Sequence, residues 1–341
     1  MERGFVLALG IYAWHGFVVA IQTLLLLPAM FPGSPVDLLA THPASTHENT
    51  TLTYAGGDIH VDLFRPTTGG RHGALVLLLG AGDLPRIDLA YRFADALARS
   101  GVVVMLPQSD GLLSERITYA EVDGIRSELR ALDGESDVDT SRVGLVGLSA
   151  AGGLCIVAAA EPDLRDRIAF VNSFGSYSDA RSLIVDVASR SILVDNQMRE
   201  WAPEDRTIEV VAASLVAALP VGADGLLVQQ VLQGANRDEA EQGVAALPAQ
   251  TQEKLQQISP SAHLQDITAR LYLMHDLDDT YIPFTESRAI VSAASHGLVE
   301  RYTEFSIFAH VIPERSVPWR TFLPDLWRLF WHVHAVMLEV V

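Results

Sequence analysis

The chain has 341 residues, of which 49% are hydrophobic, and its formal net charge is −18. This length suits one large α/β domain or two small ones, and the acidic balance argues against a nucleic-acid-binding protein, which needs a basic face. The single cysteine, Cys155, excludes an intramolecular disulfide, and no CxxC or HExxH spacing supports a metal site.

The N-terminal segment is an apolar run from Phe5 to Phe31 without Asp, Glu, Lys or Arg. About 20 apolar residues suffice to cross a bilayer as a helix, so residues 1–32 are predicted to be a membrane anchor. A cleaved signal peptide is the alternative, and a buried helix of a soluble protein is the third interpretation. Arg3 precedes the run and no Lys or Arg follows before Arg65, which places the rest of the chain outside the cytoplasm. Residues 33–50 are predicted to be a linker.

From Thr51 onward, a hairpin turning at Gly56–Gly57 is followed by strands that alternate with helices. Strands are predicted at residues 74–80, 102–107, 142–147, 167–174, 269–275 and 299–308. Helices are predicted at residues 90–100, 119–132, 150–160, 284–294 and 323–339. This alternation predicts an α/β fold with a mostly parallel central sheet covered by helices on both faces. On the helix at 119–132, Glu121 and Asp123 are expected to form a solvated ion-pair face with Arg126 and Arg130.

The alternation is interrupted by residues 176–261, which have few strand patterns and several helical ones, notably at 208–219 and 226–233. An insertion of about 85 residues is too long for a loop, so a helical subdomain is predicted. Its position favours a lid over the functional site, and a scaffold extension is the alternative. Residues 51–175 and 262–341 then form the core.

A serine lies in the turn between the strand at 142–147 and the helix at 150–160. Small residues at Gly147 and Ala151 let the strand and helix approach closely and present Ser149 at the helix N-terminus. The pattern G-x-S-x-A is similar to the nucleophile elbow G-x-S-x-G. The alternative is an ordinary serine N-cap.

A nucleophilic serine needs a base and an orienting acid, since its hydroxyl is a weak nucleophile at neutral pH. The stretch HDLDDTYIPF, residues 275–284, follows a predicted strand and carries three aspartates; we call it the acid turn. After the last predicted strand comes FAHVIPE, in which His310 is the candidate base. Serine, acid and histidine follow one another in the order that this type of fold uses.

These motifs resemble the α/β-hydrolase superfamily, and most of all its branch of dienelactone hydrolases and prolyl-oligopeptidase-type domains. DVDTSRVGLVGLSAAGG is similar to the lead-in to that branch's elbow, and LMHDLDDTYIPFTES to its acid motif. The resemblance covers residues 51–174 and 260 to the C-terminus. By position relative to Pro283 it assigns the catalytic acid to Asp279. Asp276 takes the place of a glycine, and Asp278 stays open as an alternative.

The resemblance also implies the roles of the site residues. Ser149 would attack a carbonyl, His310 would accept its proton, and Asp279 would hold the imidazole. The backbone N–H groups of Ala150 and Ala81 would form the oxyanion hole, with Leu79 in place of the family's usual histidine.

Together these observations predict a membrane-attached serine hydrolase that cleaves carboxylic esters through an acyl-enzyme, with no cofactor or metal. Its partners would be a small-molecule ester or acyl substrate and, through the N-terminal helix, a membrane. A peptidase or an acyltransferase with the same triad is the alternative within the enzyme class. A non-catalytic binding protein of the same fold is the alternative from another class.

Overall fold

The structure is a computed structural model that describes residues 2–32, 34, 38–39, 42–82, 87–223, 225–234, 236–313 and 315–341, with only the backbone for residues 2–12. Most of the predicted linker therefore lies within the described residues, and residues 33, 35–37, 40 and 41 of it lie outside them.

An eight-stranded sheet with the order β1-β2-β4-β3-β5-β6-β9-β10 forms the centre of the molecule. β1 and β2 pair antiparallel, as do β2 and β4, and the remaining neighbours are parallel. This confirms the predicted, mostly parallel sheet. The strands are β1 (Thr46–Tyr54), β2 (Gly57–Arg65), β3 (His72–Leu78), β4 (Val103–Ser109), β5 (Val138–Leu148), β6 (Phe170–Phe174), β7 (Ser191–Val194), β8 (Gln197–Glu200), β9 (Arg270–Asp276) and β10 (Val299–Phe305).

Helices cover both faces of this sheet, again as predicted. α1, α2 and α12 pack on one face, and α4, α5 and α11 pack on the other. The helices are α1 (Glu2–Leu26), α2 (Ile87–Arg99), α3 (Asp110–Leu113), α4 (Ala120–Asp133), α5 (Ala150–Ala158), α6 (Ala180–Ser189), α7 (Asp205–Ala218), α8 (Leu226–Leu232), α9 (Arg237–Ala245), α10 (Ala249–Gln257), α11 (Phe284–Ala293) and α12 (Trp319–Val340).

The continuous apolar sequence of β3 shows why the sheet is buried on both sides. Successive side chains of a strand point to opposite faces. Val76 and Leu78 belong to the core under α4 and α5, whereas Leu75 and Leu77 belong to the core under α1, α2 and α12. A strand without polar positions therefore fits only at the centre of a two-sided sheet.

The first strand begins at Thr46, inside the segment predicted as a linker. β1 pairs with β2 along its whole length, but its side chains are mostly exposed because it is the edge of the sheet. Its sequence, THENTTLTY, therefore lacks the alternation of apolar and polar residues that indicates a half-buried strand.

The expected solvated face on α4 is wrong for one residue. Asp123 does pair with Arg126. Glu121 is instead buried between the ends of β1 and β4, where it accepts hydrogen bonds from Tyr54 (2.7 Å) and Ser109 (2.5 Å).

The insertion at residues 176–261 contains α6 to α10 and also a hairpin, β7–β8, that the sequence analysis missed. Asp195 and Asn196 form its two-residue turn, with φ of 51° and 62°. Positive φ at both positions is the geometry of a type I′ turn, which favours Asn, Asp and Gly. The dipeptide Asp195–Asn196 was therefore the sequence signal from which this hairpin could have been predicted.

α1 lies against the body of the protein along one side only. Val19, Thr23 and Leu26 are buried, whereas Phe17 and Leu24 are exposed. Among the described residues one window, Ala13–Met30, is long and apolar enough to cross a membrane, judged by length and composition. A helix of this kind near the N-terminus fits a membrane anchor or a signal sequence.

Candidate active site

Ser149 occupies a strained turn between β5 and α5. Its φ of 57° and ψ of −137° lie in a region that residues with a side chain rarely adopt. The turn is held against β6 because the Ser149 N–H donates a hydrogen bond to the Phe174 carbonyl at 2.7 Å. A Cβ on Gly147 would stand 2.5 Å from the Cα of Gly152. The glycine pair, 147 and 152, therefore lets strand and helix approach, next to the predicted small residue Ala151.

His310 follows β10 in the loop that leads to α12. Its side chain is buried, and its Nδ1 lies 2.6 Å from Oδ2 of Asp279. The ring stacks on Tyr281 with centroids 4.8 Å apart. On another side it contacts Gly175, whose φ is 65°, and a Cβ there would come within 3.1 Å of the imidazole. Glycine at this position thus leaves room for the histidine.

Asp279 is buried and is surrounded by donors. Its Oδ1 accepts hydrogen bonds from the backbone N–H groups of Tyr281 (2.7 Å) and Ile282 (3.1 Å). Oδ2 faces His310 and, at 3.4 Å, Nε2 of His275. Burial by itself would raise the pKa of this carboxyl, but the charge and hydrogen bonds of the two histidines outweigh it and hold the pKa well below its usual range. Because the carboxylate is ionised, Nδ1 of His310 must be the donor.

The other two aspartates of the acid turn do not contact His310. Asp276 is buried and accepts hydrogen bonds from the N–H groups of Phe308 (2.8 Å) and Asp278 (3.0 Å). It thereby ties the end of β9 to the loop that carries His310, and burial raises its pKa to about 6. Asp278 is exposed and pairs with Arg315 at 2.7 Å. Of the three carboxylates, only that of Asp279 is brought to the imidazole.

The residues predicted for the oxyanion hole line the same cavity as Ser149 and His310. Ala150 begins α5, so its N–H is one of the first helical N–H groups and has no intrahelical acceptor. Ala81 follows β3. Gly80, the residue before Ala81, lies so close to Ser149 that a Cβ on Gly80 would be 2.8 Å from the Cβ of Ser149. Leu79, in place of the family's histidine, is buried on the opposite face of the sheet.

The cavity has a volume of about 500 Å³, within the usual range for small-molecule sites. Core loops supply one wall and the insertion supplies the other. The insertion contributes mainly apolar side chains, Leu183, Val210 and Val211, together with Thr207 and Arg206. Arg206 is held by Glu115 at 2.5 Å.

Two contacts that fix the insertion to the acid turn were not predicted. The Trp201 indole donates to the carbonyl of Asp279 at 2.9 Å, and the Thr207 hydroxyl donates to the carbonyl of Tyr281 at 3.0 Å. These residues are more than 70 positions apart in the chain and carry no motif. Only Tyr281, inside the acid turn, could have been found from the sequence.

Nothing in the described part of the chain suggests a metal centre, since no group of three or more His, Cys, Asp and Glu side chains there could hold an ion. The groups that the site brings together are Ser149, His310 with its partner Asp279, and the N–H groups beside Ser149.

No family model matches the chain, and no curated protein is similar to it in sequence. Solved structures do match. Dipeptidyl peptidase 4 of Porphyromonas gingivalis aligns over 91% of this chain and 38% of its own, with 10% identity and a TM-score of 0.56. Uncomplexed acylaminoacyl peptidase of Pyrococcus horikoshii aligns over 85% and 42%, with 15% identity and a TM-score of 0.54. A 2,6-dihydroxy-pseudo-oxynicotine hydrolase aligns over 86% and 68%, with 15% identity and a TM-score of 0.50.

The chain spans about two-fifths of the length of the peptidase structures that it matches. At such low identities the similarity establishes the architecture and leaves the substrate open. The strand order, the helices on both faces and these structural matches together show that the chain has the α/β-hydrolase fold.

Proposed function

We propose that the protein is a serine hydrolase that cleaves carboxylic esters with Ser149, His310 and Asp279 as its triad. The observation that carries this proposal is the conjunction of a strained Ser149 and an imidazole held by an ionised, buried aspartate, at the wall of one cavity. Buried charges require such partners, and a site that assembles them at a cavity is a candidate for catalysis.

In the first half of the reaction, Ser149 Oγ attacks the ester carbonyl while Nε2 of His310 accepts its proton. That nitrogen is buried and has no hydrogen-bond partner among the described residues, so it is available for the hydroxyl. The hydrogen bond between Ser149 Oγ and His310 Nε2 would form or tighten on substrate binding, as is common for catalytic hydrogen bonds that are long in empty sites. The N–H groups of Ala81 and Ala150 would stabilise the oxyanion. His310 then protonates the leaving alcohol, and an acyl-enzyme remains.

In the second half, water attacks the acyl-enzyme and gives its proton to Nε2 of His310. The tetrahedral intermediate collapses, releases the carboxylic acid and returns the proton to Ser149. Throughout, Asp279 keeps the proton of the neutral imidazole on Nδ1 and stabilises the imidazolium. Each oxyanion-hole donor typically contributes about 3 kcal/mol to transition-state stabilisation.

The choice of an ester rests on the lining of the cavity. Leu183, Val210 and Val211 suit an apolar acyl group, and no described acidic side chain lines this cavity to bind an amino terminus. In this proposal the insertion acts as a lid that forms the acyl pocket. The helix at the N-terminus serves as a membrane anchor or as a signal sequence.

A peptidase is the second candidate, because two of the solved structures described above are peptidases. Both activities need the same triad and oxyanion hole, and they differ in the leaving group and in the side chains that bind the substrate. Acyl transfer to an acceptor other than water would use the same acyl-enzyme.

The first experiment treats the full chain in detergent with a fluorophosphonate probe, which reacts with activated serines whatever the natural leaving group. We expect labelling of the wild type and none of Ser149→Ala. The matched control, Ser141→Ala, changes an exposed serine at the start of β5 and should label normally. An unlabelled but folded wild type would refute the hydrolase proposal and favour a binding protein.

The second experiment compares p-nitrophenyl esters of increasing acyl length with the matching p-nitroanilides. Ester turnover that depends on Ser149, with little anilide turnover, supports the ester hydrolase. Efficient anilide or peptide cleavage would instead assign the site to a peptidase.

A further inference from the structure

The exposed large apolar side chains of the described residues are concentrated on two helices. On α1 they are Trp14, Phe17, Ile21 and Leu24; on α12 they are Trp319, Leu323, Trp327, Trp331 and Leu338. Elsewhere such residues are scattered, as at Val221 between α7 and α8. Scattered apolar side chains are normal on a soluble surface, whereas a contiguous group marks an interaction site.

On each helix these residues form one stripe on the side away from the sheet. The spacing of three or four residues places them on a single helical face. In α1 the opposite face is the buried one, with Val19, Thr23 and Leu26. In α12 the inward side carries Leu329 and Val340, which are fully buried.

The two stripes belong to the same outer layer of the molecule. α1 and α12 pack on each other and cover the same face of the sheet. Phe31, just after α1, contacts Phe322 of α12 with ring centroids 6.1 Å apart. Further along, Leu26 shares the wall of an internal apolar cavity with Val333 and Met337. Two helices that turn their buried sides to one core must present their other sides to one surface.

The composition of this surface identifies its partner. Four of the five tryptophans of the chain lie on these two helices, and tryptophan is enriched where a bilayer meets water. An indole suits that place because it has an apolar body and a polar N–H.

The charges on α12 point to the same partner. Arg320 and Arg328 are exposed on or beside the stripe, and the Arg328 guanidinium also pairs with Asp325 at 2.7 Å. The acids of the helix are turned to the body instead: Asp325 is buried against the Ser306 N–H, and Glu339 pairs with Arg270. In a chain with a net charge of −18, this face has cations outward and acids inward. That arrangement complements anionic lipid headgroups.

We propose that α12 is a second membrane-contacting element, and that its tryptophan stripe lies in the bilayer–water interface beside the exposed stripe of α1. The occupant of the surface is a lipid bilayer containing anionic lipids. The body of the hydrolase-fold domain then rests on the membrane along α12 and is not merely tethered through the N-terminus. This inference is independent of the proposed catalytic activity.

The test uses the full chain with one environment-sensitive fluorophore. Cys155 is completely buried, so a new surface cysteine can be labelled selectively. The variants are Leu323→Cys on the α12 stripe, Phe17→Cys on α1 and, as control, the fully exposed Val221→Cys. Each labelled protein is reconstituted into phosphatidylcholine–phosphatidylglycerol vesicles with and without brominated acyl chains.

We expect a blue shift and bromine-dependent loss of emission at position 323, comparable to those at position 17 and absent at position 221. Quenching at 17 but not at 323 would overturn the proposal, because α1 alone would then anchor the chain. A blue shift at position 323 that is the same with and without brominated lipid, and that increases with the protein-to-lipid ratio, would also overturn the proposal. It would assign the surface to contact with a second copy of the chain. Replacing Arg320 and Arg328 by Gln should reduce the quenching at 323, and only in vesicles with phosphatidylglycerol.

Discussion

Two of the regions in which the protein buries carboxylates are the acid turn after β9 and the inner side of α4, and they differ in what surrounds the carboxylate. In the acid turn, Asp279 receives hydrogen bonds from two backbone N–H groups and faces two histidines. On α4, Glu128 is completely buried beside Glu121, and its Oε2 has no hydrogen-bond partner among the described residues.

The two carboxyls therefore differ in ionisation: Asp279 is ionised and Glu128 is protonated at neutral pH. The pKa of Asp279 is held well below its usual range, whereas burial and the neighbouring Glu121 raise the pKa of Glu128 to about 8. Burial disfavours the ionised form at both places, so the donors decide. The comparison shows that a buried carboxyl can orient and stabilise an imidazole only where the fold also supplies the hydrogen-bond donors that keep the carboxyl ionised. Asp276 lies between these extremes, with backbone donors but a pKa near 6.

Asp279→Asn should have the largest effect, because it removes the anion that fixes the tautomer of His310. An amide N–H facing Nδ1 would favour the wrong tautomer, and kcat should fall by about 10⁴, the loss seen when this aspartate is replaced in a serine-protease triad. The rate of fluorophosphonate labelling and the turnover of the best substrate measure the effect. Near-normal rates in this variant would exclude Asp279 as the triad acid.

Asp276→Ala should destabilise the protein, because the buried N–H of Phe308 would lose its acceptor. An unsatisfied buried donor costs about 1–3 kcal/mol. Asp276→Asn retains a carbonyl oxygen that can accept this hydrogen bond, so its free energy of unfolding should fall clearly less than that of Asp276→Ala. Chemical unfolding in detergent measures the free energy, and labelling of Ser149 reports on the loop that carries His310. Equal losses in the two variants would contradict the role assigned to this hydrogen bond.

Glu128→Gln should change how stability depends on pH. A carboxyl whose pKa is raised by folding favours the protonated folded state, so its contribution is present at low pH and is lost as pH rises from about 4.5 to about 8. The wild type should lose up to about 1.4 kcal/mol per pH unit more than the variant in that window. The free energy of unfolding at several pH values tests this, and parallel curves would show that Glu128 is not protonated in the fold.

Asp278→Asn should have the smallest effect. Its carboxylate is exposed and pairs only at the surface with Arg315, and such pairs contribute about 0–1 kcal/mol. Labelling and turnover should stay close to wild type, so this variant is the matched control for Asp279→Asn. A loss as large as that of Asp279→Asn would move the acid role to Asp278.

The members of the proposed triad could be singled out from the sequence because each of them lies in a short local pattern. Small residues around Ser149 announce a tight turn, and the turn in the structure has the strained geometry that the pattern requires. The acid turn follows the apolar strand β9, and His310 follows the last predicted strand, β10. Where the strand signal was weak, the prediction was incomplete. The first hairpin was predicted, but β1 only from Thr51, because its first residues are polar at the edge of the sheet, and the short hairpin β7–β8 was missed.

Other features could not be predicted because they join residues that are distant in the chain. Glu121 has the spacing of a surface ion pair, yet it is buried and accepts hydrogen bonds from Tyr54 of β1 and Ser109 of β4. Trp201 and Thr207 belong to an insertion without motifs, and only packing brings them to the acid turn. The tryptophans of α12 are apparent in the sequence, but their exposure is not.

The sequence by itself determined the alternation of strands and helices and the order of Ser149, the acid turn and His310. Parallel strands end at one edge of a sheet, so residues that follow them meet there whatever their separation in the chain. The resemblance singled out Asp279 among the three aspartates, and the structure places this residue beside the imidazole. The tertiary structure alone decided which buried acids are ionised and which face of α12 is left uncovered. These outcomes depend on hydrogen-bond donors and covering helices that belong to distant parts of the chain. A local sequence pattern therefore cannot predict these outcomes.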